Sequence, residues 1–159
     1  MSRDLHFEFL YAHPPQRVWR ALTDSAAIAQ WLMPNNFQPV VGHKFQFRTK
    51  RRPGFDGIVN CEVLELVPPR KLAYSWEGGR MRTVVTYTLE AVPEGTRLLF
   101  DHTGFRGLRG LLVSQMLGNG WKSKILVRNL PAVLEFVNDE GFHLPPGVAI
   151  PGCYGGSAK

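Results

Sequence analysis

The chain has 159 residues, enough for one domain, and its 44% hydrophobic and 20% charged content can fill a core and excludes a disordered polymer. No apolar run approaches the about 20 residues that a membrane helix needs, so stable membrane insertion is not expected. The 19 Lys and Arg against 13 Asp and Glu give a formal charge of +6, which raises the question of an anionic partner. The charge is scattered apart from "RTKRRP" at 48–53, which precedes Pro-Gly between two strand-like segments and reads as a solvated hairpin tip. The aromatics fall at core-periodic positions instead of interleaving with the basic residues, so no nucleic acid is expected. The opening "MSRDLHFEFL" places charges among its apolar positions, unlike a targeting signal, and Cys61 and Cys153 have no metal-type spacing. A cytoplasmic chain with free thiols is the expectation.

In chain order, "DLHFEFLYA" alternates Leu5, Phe7, Phe9 and Tyr11 against His6, Glu8 and Leu10, the period of a half-buried strand. "HPPQRVWRALTD" follows, with prolines suited to a first helical turn and an apolar face of Val18, Trp19 and Leu22. Thr23-Asp24-Ser25 closes that helix and caps a second, "SAAIAQWL", which Pro34 ends. Asn35-Asn36 begin a connection that Phe37 anchors, and Gly42 leads into the next strand.

Five strand-like runs come next. "HKFQFRT" sets Phe45 and Phe47 against Lys44, Gln46 and Arg48; "IVNCEVLELV" (58–67) mixes alternation with adjacent apolar residues and predicts a bulge. "LAYSWE" puts Leu72, Tyr74 and Trp76 on one face; "TVVTYTLEAV" (83–92) puts Val85, Tyr87 and Leu89 on one face; "RLLFDHTGF" puts Leu98, Phe100 and His102 together. Short turns between neighbours predict an antiparallel meander.

From about Gly107 the period becomes helical, through Leu108, Leu112 and Met116 and then Trp121, Ile125, Leu130, Val133, Leu134 and Val137. Gly118 and Gly120 either break or bend this helix, and Pro131 predicts a kink or a restart. "FRGLRGLLVSQML" is basic and amphipathic. That character suits a membrane-surface helix or a lid, but its glycines weaken a free-standing helix and favour packing at the end of a cavity. Residues 139–159 are Gly- and Pro-rich and read as a tail following a single domain over 1–138. The expected class is α+β, an antiparallel sheet of about six strands with two short helices after strand 1 and a long C-terminal helix on one face.

This order resembles the START-like (helix-grip, SRPBCC) superfamily, and within it the family related to the activator of heat-shock-protein-90 ATPase. The resemblance is carried by "VWRALTD" (18–24), "QWLMP" (30–34), "PGFDGIVNCEVLELVPPRKLAYSW" (53–76), "VTYTLE" (85–90), "EGTRLLFDHTGF" (94–105) and "NGWKSKILVRNLPAVLE" (119–135). It implies a cavity between the curved sheet and the C-terminal helix that takes a small apolar or amphipathic molecule. It also implies two alternatives, a cyclase- or dehydratase-type enzyme using that cavity and a chaperone-associated, stress-response module.

The cavity candidates are Trp31, Phe37, Phe45, Phe47, Tyr74, Trp76, Tyr87, Phe100, His102, Trp121 and Ile125. Aromatic side chains on corresponding strand faces either fill a core or line a pocket, and their hydroxyl and indole N–H groups can orient a ligand. His102 and Asp101 are neighbours on a strand and face opposite ways, so they form no acid–base dyad. His6, His13, His43 and His143 lack ligand spacing, Glu62 and Glu65 are three apart on a strand, "GNG" lacks a phosphate-loop context and no serine sits in a GxSxG elbow. No catalytic residue, metal or cofactor is therefore assigned, and either a monomer or a homodimer is expected.

Overall fold

The computed structural model describes residues 4–150. Six antiparallel strands, β1 (Leu5–Tyr11), β2 (Lys44–Arg48), β3 (Ile58–Val67), β4 (Lys71–Gly78), β5 (Met81–Val92) and β6 (Gly95–Thr103), form one sheet in the order β1-β6-β5-β4-β3-β2. Strands β2 to β6 are the expected meander, and β1 closes against β6 with Phe7 opposite Phe100 and Phe9 opposite Leu98. The register of β3 on β4 shifts between Val63 and Glu65. Leu64 is the extra residue and is about half exposed, so the adjacent apolar residues of β3 do mark a bulge. At the β5–β6 turn, Gly95 adopts φ 140°, and a Cβ there would lie 2.2 Å from the Tyr11 carbonyl oxygen. Only glycine lets the hairpin close this tightly against β1.

Helix α1 (Pro15–Thr23) begins with Pro15 in its first turn, and α2 (Ser25–Trp31) follows after Asp24 alone. The Asp24 carboxylate accepts hydrogen bonds from the Ala26 and Ala27 amides at 2.9 and 3.2 Å, satisfying two orphan donors of α2. The buried face of α1 is Val18, Ala21 and Leu22; Trp19, expected on that face, is only partly buried.

The C-terminal helix runs without interruption from α3 (Gly107–Gly120) through a π-helical segment (Trp121–Asn129) to α4 (Leu130–Leu134). Gly118 and Gly120 do not break it, and the hydrogen-bonding pattern changes immediately after them. In the π pattern each N–H bonds the carbonyl five residues back, as Leu130 does to Ile125. The next donor in that pattern would be residue 131, reaching the Leu126 carbonyl, and Pro131 has no N–H to give. The Tyr11 hydroxyl donates to that carbonyl instead, at 2.7 Å. Pro131 therefore coincides with the change from the π to the α pattern, and a residue of β1 takes over the bond that proline forfeits.

The inward stripe of α3 differs from the expected one. Gly110, Ser114 and Gly118 are buried, whereas Leu108, Leu112 and Met116 are 72%, 60% and 60% exposed. The two stripes lie two residues out of phase, about 200° apart around the axis. A Cβ on Gly118 would sit 3.1 Å from Leu5 and one on Gly110 would sit 3.1 Å from the Phe105 backbone. Small residues are what let α3 approach this closely, so the larger apolar side chains project outward. "FRGLRGLLVSQML" is thus not packed through Leu108, Leu112 and Met116, although Leu117 at its end packs against the core.

Beyond α4, β7 (Val137–Asn138) and β8 (Gly141–Phe142) form a small hairpin; Phe142 and Leu144 pack on the core, and Ile150 is buried. Cys61 is a buried free thiol; Cys153 and the rest of the segment from 151 lie outside the described residues. Among the described residues no helix is long and apolar enough to cross a membrane.

Candidate ligand site between sheet and C-terminal helix

Strand alternation sends one face of β2, β4, β5 and β6 toward the C-terminal helix, and the cavity candidates converge there. Trp31, Phe37, Phe45, Phe47, Tyr74, Trp76, Tyr87, Phe100, His102 and Trp121 are all buried, none more than 5% exposed. Their rings form one connected layer. Phe37 meets Phe45 edge-on at 5.1 Å, Phe45 meets Tyr74 at 5.2 Å and Phe47 meets Trp76 at 5.4 Å. Tyr87 meets Phe100 at 5.4 Å, and Phe100 meets Trp121 at 4.5 Å. Trp31 joins edge-on to Tyr87 and donates its indole N–H to the Ala21 carbonyl at 2.9 Å. Ile125 stands apart: it is partly buried and packs on the edge of the layer, while its neighbour Leu126 is fully buried. The π pattern rotates this part of the helix relative to an α-helical count, which is why the fully inward residue is one position later than expected.

Two polar groups lie inside this layer, and they differ in how completely they are bonded. The Trp121 indole N–H donates to His102 Nδ1 at 3.2 Å. Nδ1 therefore accepts, the neutral ring carries its proton on Nε2, and Nε2–H donates to Thr83 Oγ1 at 2.8 Å. Thr83 in turn donates to the Trp76 carbonyl at 2.8 Å. Every donor in this chain has an acceptor. Burial lowers the His102 pKa to about 3, and a second ring proton would face the indole N–H. His102 is thus a neutral, fully engaged group that ties β5, β6 and the start of the π segment together. The opposite orientation holds on the other face, where Asp101 pairs with His6 as strand alternation requires.

The Tyr74 and Tyr87 hydroxyls are 2.7 Å apart and hydrogen-bond to each other. Both rings are buried, and burial raises both phenol pKa values well beyond the usual, so both stay protonated. Two O–H groups sharing one hydrogen bond leave one proton without an acceptor among the described residues. In an interior where nearly all polar groups are paired, that donor is an open position for a carbonyl, ether or carboxylate oxygen. Burial likewise pushes the Cys61 thiol up, which makes it an inert side chain and not a nucleophile.

Thr83 and Tyr11 are functional to this architecture and were not among the cavity candidates. Thr83 has the same parity as Val85, Tyr87 and Leu89, so its inward direction was available from spacing; its polarity disguised it. Tyr11 ends the inward series of β1, and nothing local indicated that its hydroxyl would serve a helix carbonyl.

The profile of the family described as "Activator of Hsp90 ATPase homolog 1-like protein" matches residues 12–135. The chain belongs to that family. The matched region runs from the end of β1 to just beyond α4, so it includes the whole aromatic layer. Protein MLL2253 of Mesorhizobium loti is similar at 33% identity over 85% of this chain and 98% of its own, with a TM-score of 0.76. DynU16, a protein of the dynemicin biosynthetic locus, shares the fold at 21% identity over 89% of this chain and 51% of its own, TM-score 0.70. PFC0360w, an HSP90 activator from Plasmodium falciparum, shares it at 21% identity over 77% and 90%, TM-score 0.63. No curated protein matches the chain.

Proposed function

We propose that this family member binds a small amphipathic molecule between the sheet and the C-terminal helix. Its apolar body lies among Trp31, Phe45, Tyr74, Tyr87 and Phe100, and its acceptor oxygen takes the free phenol proton of the Tyr74–Tyr87 pair. That undonated proton in a fully buried aromatic layer carries the reading. The rings are in mutual contact in the described conformation, so occupancy requires them to part, with the adjoining π segment as the element that yields. A cyclase- or dehydratase-type activity has less support, because both ring nitrogens of His102 are already bonded. A chaperone-associated role draws its support from the family and from the HSP90 activator that shares the fold.

The test compares 2-acetylnaphthalene with 2-ethylnaphthalene, which differ chiefly in the carbonyl acceptor. The ketone is expected to raise Tm and to bind about tenfold more tightly, the value of one neutral hydrogen bond of about 1.4 kcal/mol. In Tyr74→Phe/Tyr87→Phe that preference disappears while apolar binding remains. Native mass spectrometry of the purified protein is expected to show retained small molecules. If neither probe shifts Tm and nothing co-purifies, the reading fails.

A further inference from the structure

The outward face of the C-terminal helix combines two features that ordinary surfaces keep apart. Leu108, Leu112 and Met116 recur every four residues and form one exposed apolar stripe along α3, and Val127 in the π segment is also exposed, at 52%. Residues 102–134 contain no Asp or Glu, yet carry Arg106, Arg109, Lys122, Lys124 and Arg128. All five lie exposed beside or beyond the stripe. A cleft of about 380 Å³, bounded by Arg80, Met81, Arg82, Gly104 and Arg106, adjoins the start of α3. Glu77 pairs with Arg82 at 3.6 Å, whereas Arg80 and Arg106 have no ion-pair partner among the described residues.

We propose that this face docks on an anionic membrane surface. The Leu108–Leu112–Met116 stripe enters the headgroup–acyl boundary, the flanking Lys and Arg meet lipid headgroups, and the Arg80–Arg106 cleft seats one anionic headgroup. An interfacial helix has these properties: an apolar stripe, a basic surround and insufficient length or hydrophobicity to span. Charge decides between occupants. A second copy would meet this face through a self-complementary interface, setting five cations against the same five. The segment 151–159 has no acidic residue with which to cover it. The proposal stands whether or not the aromatic layer takes a ligand.

The full chain is mixed with sucrose-loaded phosphatidylcholine vesicles, with and without about one third phosphatidylserine, and sedimented. It is expected to pellet with the anionic vesicles and not with the neutral ones, and to be released as salt rises from about 0.1 to about 0.5 M. Lys122→Glu/Lys124→Glu is expected to lower partition at least about 25-fold, about fivefold for each lost cation. Leu112→Gln/Met116→Gln is expected to lower it at least about tenfold. All four side chains are exposed, so both variants should keep the parent Tm. Absence of binding to anionic vesicles, equal binding to neutral ones, or variants that bind like the parent would overturn the proposal. A dimer in solution that Leu112→Gln/Met116→Gln dissociates would overturn it too, in favour of a second copy. Capture by an acidic protein with no vesicle binding assigns the face to that protein instead.

Discussion

His102 is held neutral by its surroundings, and this makes part of the fold's stability depend on pH. Its folded pKa of about 3 lies below the ordinary histidine value of 6.5. Between those values the unfolded chain binds a proton that the folded chain refuses, so stability rises with pH across this window. The contribution is complete above about pH 6.5 and is lost as pH falls from there toward 3. At about pH 5 the loss amounts to about 2 kcal/mol, from one and a half pH units at 1.36 kcal/mol each. His102→Gln can keep an acceptor for the Trp121 indole and a donor for Thr83 but cannot titrate. Denaturant melts at about pH 7.5 and pH 5 should therefore show a stability drop about 2 kcal/mol smaller in the variant than in the parent. Equal drops would mean that the ring is accessible to protons in the folded state. The inward face of β6 was readable from Leu98, Phe100 and His102 alone; the neutral, doubly bonded state was not. It depends on Thr83 and Trp121, each 19 residues away in opposite directions.

The C-terminal helix shows how element-scale features escape a local reading. Its existence followed from the period of its apolar residues, whereas the break that Gly118 and Gly120 left open does not occur. The π pattern did not follow, because the five-residue bond is chosen by tertiary partners and not by propensity. Nor did the inward stripe of α3, because the spacing of large apolar residues identifies a face without saying whether close approach requires small ones. Pro131 and Tyr11 provide a direct test of the element's logic. Tyr11→Phe removes the donor to a buried carbonyl and should cost about 1–3 kcal/mol. Pro131→Ala restores a backbone N–H able to reach the Leu126 carbonyl, so Tyr11→Phe should cost less than half as much in that background. Chemical denaturation of the four-member cycle measures the coupling. Additive effects would show that the hydroxyl and the missing amide do not serve the same carbonyl.

At the scale of the whole molecule, the sheet and the helix are held by unequal means. Strands β4, β5 and β6 are each bonded on both sides along their length. The π segment is held to the sheet and α2 by the Trp121 and Leu126 side chains, the Trp121–His102 bond, the Tyr11 hydroxyl of β1 and the Asn129 amide, which donates to the Trp31 carbonyl at 3.4 Å. Opening the layer through the sheet would break many ladder bonds at once, whereas lifting the π segment breaks a few side-chain bonds and exposes two large side chains. Native-state hydrogen exchange should accordingly show two tiers. Amides of β4 to β6 exchange only through global unfolding, typically about 5–15 kcal/mol, while those of Trp121–Asn129 exchange through a local opening several kcal/mol lower. If ligand enters there, saturating 2-acetylnaphthalene slows exchange across Trp121–Asn129 more than across the strands, because the bound state no longer opens without losing the ligand. Uniform protection of helix and sheet, unchanged by the ketone, would exclude the π segment as the entry and leave the connection from Trp31 to Gly42 as the element to examine.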